Sequence, residues 1–166
     1  MIIYFLRHGK RGHGAEQDKL TTEGIEQAKK TALYFKNIKI DKVISGNSKR
    51  AIDTTKEIIN IKKIPVEYTN NVNEQTLGVL EGKSGEDYRT ALNKSGLSKE
   101  EFRPEKGENE FDIHNRAKKF IKELKKEKGK NILVVSHSGF ISHVISLLLN
   151  KSIEAIAGHY GGLIGA

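Results

Sequence analysis

The 166-residue chain contains no cysteine, which excludes disulfides and any chemistry that runs through a thiolate. No apolar run approaches the roughly 18 residues that a membrane span requires. The opening Met1–Leu6 stretch is too short, and lacks the basic residues, for a signal peptide, so a cytoplasmic location and no membrane partner are expected. Internal repeats and low-complexity tracts are missing. Aromatic residues make up only 7% and do not interleave with the basic ones. The net charge of +8, from 29 Lys and Arg against 21 Asp and Glu, favours anionic partners. Its lysines, such as Lys118, Lys119, Lys122, Lys125, Lys126 and Lys128, fall along one apparent helix, and the pattern reads as a solvated face rather than a nucleic-acid surface.

What is there is an alternation of short apolar runs and longer amphipathic ones. Ile2–Leu6 reads as a strand that stops at Arg7-His8-Gly9. A polar, glycine-rich loop follows, and Thr22 is placed to cap a helix running to about Lys36. Lys42–Ser45 reads as a second strand, Ser48 opens a helix to about Ile61, and Pro65–Tyr68 is a short third strand. Residues 70 to about 109 are mostly polar, with one short helix near Glu86–Lys94. A long helix from Phe111 to about Lys128, a buried strand at Ile132–Ser136 and an apolar helix at Gly139–Leu149 complete the pattern. The tail from Gly158 to Ala166 has weak strand character and suits a final edge strand, which would also offer a route to a homodimer. Strands alternating with helices imply parallel pairing. The expected fold class is α/β, a three-layer α/β/α sandwich with a mostly parallel central sheet, forming a single domain over 1–166 with a small cap at about 70–109.

Two strands end abruptly at a histidine close to a glycine: Leu6-Arg7-His8-Gly9 and Val135-Ser136-His137-Ser138-Gly139. In open parallel sheets such strand ends face the ligand crevice. The second histidine also opens a helix, whose first amides, near Ser138 and Gly139, are placed to receive an anion. Arg50 lies in the first turn of the helix after the second strand, near the same edge. Each feature alone is more often an ordinary surface residue. Two arginines and two histidines at one sheet edge, however, can clamp the three oxygens of a phosphoryl group. The six histidines show none of the usual metal-ligand spacings, so neither a metal nor a cofactor is expected.

These residues also carry a resemblance. Arg7-His8-Gly9 followed by Leu20-Thr21-Thr22-Glu23-Gly24-Ile25-Glu26-Gln27-Ala28 resembles the histidine phosphatase superfamily, which includes the phosphoglycerate mutases. Ser45 to Thr54, Glu74 to Gly82 and Ser136-His137-Ser138-Gly139 resemble its later segments, in the same order. The resemblance implies a phosphoglycerate mutase-like sandwich and a phosphoric monoester hydrolase of the histidine acid phosphatase type. His8 is then the nucleophile. Arg7, Arg50 and His137 bind the phosphoryl oxygens, His137 also counting as catalytic, and the Ser138 amide adds a donor. Glu74 is the general acid, with Glu81 as the competing carboxylate. The implied partner is a small phosphorylated metabolite.

The sequence departs from the family at several points. Lys10 and Arg11 follow the first glycine where Glu or Gln is common. Gly14 stands where a phosphate-binding Asn often lies, and Ser138 replaces a Gly. Lys10, Arg11 and His13 either favour a substrate with additional negative charge or are simply solvated. The short 70–109 segment suits a phosphatase better than a mutase, and Glu74 suits alkoxide leaving groups better than protein phosphohistidine. Mutase-type transfer, a phosphohistidine protein phosphatase and a non-catalytic phosphate-binding module are the alternatives.

Overall fold

The computed structural model describes residues 1–13, 16–153 and 155–156. Gly14 and the 158–166 tail, both singled out above, lie outside the described residues. Four strands, β1 (Ile3–Arg7), β2 (Lys42–Gly46), β3 (Val66–Thr69) and β4 (Ile132–Ser136), form a sheet in the order β1-β4-β2-β3, and every neighbouring pair is parallel. Successive side chains of a strand face opposite sides of its sheet. Ile132 and Val134 of β4 therefore join one apolar cluster while Leu133 and Val135 join the other, all four fully buried. An uninterrupted apolar strand is what a sheet covered on both faces requires.

The two covers are helical. α1 (Thr22–Phe35) and α2 (Lys49–Ile61) pack Ala32, Phe35, Ala51 and Ile58 against Leu133 and Val135. On the other face, α4 (Glu110–Leu124) and α5 (Ser138–Leu149) supply Ile113, Ala117, Phe120, Phe140 and Val144. The three-layer sandwich read from the sequence is the observed fold. The segment between β3 and α4 holds two short 3-10 turns, Asn70–Val72 and Gly78–Leu80, and the solvent-facing helix α3 (Gly85–Ser95). No helix among the described residues is long and apolar enough to cross a membrane.

Some element ends differ from the sequence reading. Thr21, not Thr22, caps α1, its hydroxyl accepting the Gly24 N–H at 3.0 Å. α4 stops at Leu124, short of the expected Lys128. Leu124 is its last buried side chain, and beyond it Glu127 is drawn aside by Lys42 and Lys130. α5 begins at Ser138, one residue earlier than expected.

Two glycines from separate motifs meet at the end of β1. A Cβ added to Gly9 would run into the carbonyl oxygen of Gly24, and one added to Gly24 would run into that of Lys10. The loop after β1 lies directly on the first turn of α1, closer than any side chain permits. Its neck is closed by Gly12 N–H donating to Lys19 O at 3.0 Å and Thr21 N–H donating to Lys10 O at 2.9 Å.

Candidate active site

The parallel register pairs Arg7 of β1 with Ser136 of β4, so the next residues along, His8 and His137, leave the sheet side by side. Their ring centroids are 5.0 Å apart. Both are buried, with 6% and 1% of their surface exposed. His8 is fixed at its backbone, where its N–H donates to Ser136 O at 3.0 Å, and at its ring, where Nδ1 lies 2.7 Å from Gly9 O. A carbonyl only accepts, so Nδ1 carries the proton and Nε2 carries the lone pair.

Arg50 bridges the two rings from the start of α2. Its Nε donates to His8 Nε2 at 3.2 Å and its Nη2 to His137 Nδ1 at 3.3 Å. The His137 ring therefore holds its proton on Nε2, which donates a long 3.3 Å bond to Ser48 Oγ. Burial, reinforced by Arg50, the neighbouring His8, Arg116 and Arg7, pushes the His137 ring down to about 2. Burial also pulls the His8 ring down to about 4. Its Gly9 bond works the other way, while Arg50, Arg7 and Arg11 add to the lowering. Burial, rather than the arginines, is the larger cause of a neutral His8. Arg7 ends β1 half-buried, and its guanidinium has no hydrogen-bond or ion-pair partner among the described residues.

Glu74 sits where the sequence reading places an incoming anion. Its Oε2 accepts the Gly139 N–H and its Oε1 the Phe140 N–H, each at 3.1 Å. These first-turn amides of α5 are thus filled by a carboxylate of the chain itself, as the dipole of a helix start favours. Of the amides foreseen for phosphate, only that of Ser138 remains without an acceptor among the described residues. Glu81 is exposed, and its Oε2 accepts the Leu77 N–H at 3.1 Å, inside its own loop. Lys10 pairs with Glu23 on the surface. Arg11 and His13 are exposed.

Three supporting residues have no role in the sequence reading. Asp18 receives Arg50 Nη1 at 2.7 Å and the Lys49 N–H at 3.0 Å, tying the loop after β1 to the start of α2. Thr54 accepts the Gly9 N–H at 3.1 Å. Arg116 of α4 donates to the carbonyl of Glu74 at 3.2 Å. The signal for Arg116 was legible: it lies on the same helical stripe as Ile113, Ala117 and Phe120, and a cation on an inward stripe needs a partner. Asp18 had no comparable local sign.

The sequence profile of the histidine phosphatase superfamily (branch 1) matches residues 3–160, and the chain belongs to that family. It is 28% identical to a broad-specificity phosphatase of Saccharomyces cerevisiae over 92% of this chain and 72% of the yeast protein. It is also 28% identical to the adenosylcobalamin/alpha-ribazole phosphatase of Escherichia coli, over 94% of this chain and 83% of that one. The crystal structure of the alpha-ribazole phosphatase from Shigella flexneri superposes with a TM-score of 0.78 at 25% identity, covering 95% of this chain and 84% of the other. Phosphoric monoester hydrolysis is the activity that this membership and these relatives support.

Proposed function

We propose that this histidine phosphatase hydrolyses small phosphomonoesters through a phosphohistidine on Nε2 of His8, with no metal ion taking part. The observation that carries the reading is the fixed tautomer of a buried, neutral His8: Nδ1 is held by Gly9 O, and the Nε2 lone pair accepts only a 3.2 Å bond from Arg50 Nε, which an incoming phosphoryl group replaces. A neutral imidazole with one directed lone pair is a competent nucleophile at neutral pH.

In the first step the Nε2 lone pair forms the N–P bond. The P–O bond to the leaving group breaks, and the departing alkoxide takes a proton from Glu74, which enters this step as the carboxylic acid and leaves it as the carboxylate. In the second step water attacks the phosphorus and gives its proton to the Glu74 carboxylate. The N–P bond then breaks, returning the electron pair to Nε2 and releasing inorganic phosphate. Arg7 and Arg50, together with His137 Nε2–H and the Ser138 amide, hold the three phosphoryl oxygens and offset their charge, the work on which phosphoryl transfer chiefly depends. The 70–109 segment serves as the cap that brings Glu74 over this edge. Glu74 supports alkyl esters as substrates, because an alkoxide needs a proton to leave and a phosphohistidine imidazole does not.

Turnover of p-nitrophenyl phosphate in EDTA tests the reading. Wild type should remain active, and His8→Ala should lose at least about a thousandfold while keeping its circular dichroism spectrum. A His8→Ala protein that keeps its turnover removes His8 as nucleophile. A wild-type enzyme silenced by EDTA and restored by a divalent ion removes the metal-free mechanism.

A further inference from the structure

Arg116 spends all five of its N–H donors around the chain segment that carries Glu74. Nε donates to Glu108 Oε1 at 2.9 Å and Nη2 to Glu108 Oε2 at 2.8 Å, a bidentate fork. The remaining donors go to main-chain carbonyls: Nη1 to Asn71 O at 3.2 Å and Asn73 O at 2.7 Å, Nη2 to Glu74 O at 3.2 Å. The guanidinium also stacks 5.0 Å from the ring of Phe140, whose N–H is one of the three backbone donors to the Glu74 carboxylate, with those of Gln75 and Gly139. Glu108 continues the grip. Its carboxylate accepts the Thr76 N–H at 3.2 Å, its N–H donates to Thr76 O at 2.9 Å, and its carbonyl accepts from the Gln75 side chain at 2.8 Å.

Residues 71 to 76 have one fully buried apolar anchor, Val72. Packing alone fixes little of this stretch; hydrogen bonds fix the rest, those of the fork beside those of Ser136 to Val72 O, of the Asn73 side chain with Asn47 and Asn70, and of the start of α5 to Glu74. We propose that Arg116, braced by Glu108, is the positioning residue of the proton-transfer step, setting where the Glu74 carboxyl stands without touching the phosphoryl group. The inference rests on Glu74 as the proton donor. Lysine cannot replace this arginine, since an ammonium offers a point charge and three donors in place of a planar fork of five. Displacements of about 1 Å in a catalytic group cost up to roughly a hundredfold in rate.

The test compares two esters, p-nitrophenyl phosphate, whose leaving group departs without a proton, and glycerol phosphate, whose alkoxide needs one. Glu74→Gln, Arg116→Lys and the double variant are compared on both by kcat/KM, which reports transfer to His8 and not the hydrolysis of the phosphohistidine that both esters share, and their melting temperatures are recorded. Glu74→Gln should lose about a hundredfold on glycerol phosphate and only a few-fold on the activated ester. Arg116→Lys should lose about tenfold on glycerol phosphate with little change on the activated ester, and the double variant should be no worse than Glu74→Gln. Equal losses of Arg116→Lys on both esters, or losses that multiply in the double variant, overturn the inference while leaving Glu74 as donor. Equal losses of Glu74→Gln on both esters remove the donor, and the inference falls with it. Should Arg116→Lys fail to fold, Glu108→Gln weakens the same fork and is read by the same ratio.

Discussion

The two halves of the site are built in different ways. His8 and His137 stand at the ends of neighbouring parallel strands, are almost wholly buried, and owe their places to sheet register and apolar packing. Glu74 stands on an irregular stretch and is placed by hydrogen bonds from Arg116, Glu108 and the start of α5. One half is a by-product of the core, and the other is a polar framework laid over it. The histidine half is tied to the fold, whereas the proposed acid should move with a change of one side chain.

This contrast can be attacked from either side. The largest effect on stability belongs to the packed half. Leu133, fully buried in β4, should cost about 3 kcal/mol of unfolding free energy when cut to Ala, read from urea titration. A loss below about 1 kcal/mol would mean that the sheet does not hold this half. Acid should act next, and gradually. The His8 ring titrates near 4 in the folded protein, against 6.5 for the free side chain. Below 6.5 the unfolded chain therefore takes up a proton that the folded one refuses, and stability falls as pH drops from about 6.5 toward 4. His8→Gln should flatten part of that slope; an unchanged slope would mean that burial of His8 carries no cost.

A smaller and more selective effect is expected in the polar half. A Cβ on Gly139 would meet the Glu74 carboxylate, the movable end of a side chain. Gly139→Ala should reduce turnover of glycerol phosphate by about tenfold and leave p-nitrophenyl phosphate and the melting temperature nearly unchanged. A drop of several degrees would show that the acid side is bound into the fold after all. Least of all should follow from Lys29→Ala. Its pair with Glu26 is exposed on α1, away from both halves, so melting and kinetics should match wild type.

The same division decides what could be read in the sequence. The histidine half is announced locally: an apolar run that halts at Arg7-His8-Gly9, another that halts at His137, and Arg50 opening a helix. The strands, the helices and their two apolar covers follow from patterning within each element, whereas the strand order β1-β4-β2-β3 is set by contacts between elements. The acid half depends on contacts between residues far apart in the chain. Glu74 could be nominated only by resemblance, and its grip by Arg116 spans 42 residues. The helix start at Ser138–Gly139 reads as a seat for a substrate anion, and a sequence does not say that the chain's own Glu74 carboxylate takes the Gly139 and Phe140 amides. Asp18 eluded the reading for the same reason, because Arg50 is 32 positions away.

The pairing of β1 with β4 joins residues 129 apart, as Ile3 with Ile132. A chain emerging from the ribosome has therefore written its proposed nucleophile within the first ten residues, but β1 has no neighbour in this sheet until residue 136 has been made. Contacts of such span are slow to form, and until they do β1 is an unpaired apolar edge of the kind that invites aggregation. The onset of phosphatase activity during refolding should then coincide with the last sheet contact to close, which makes catalysis a clock for the completion of the fold.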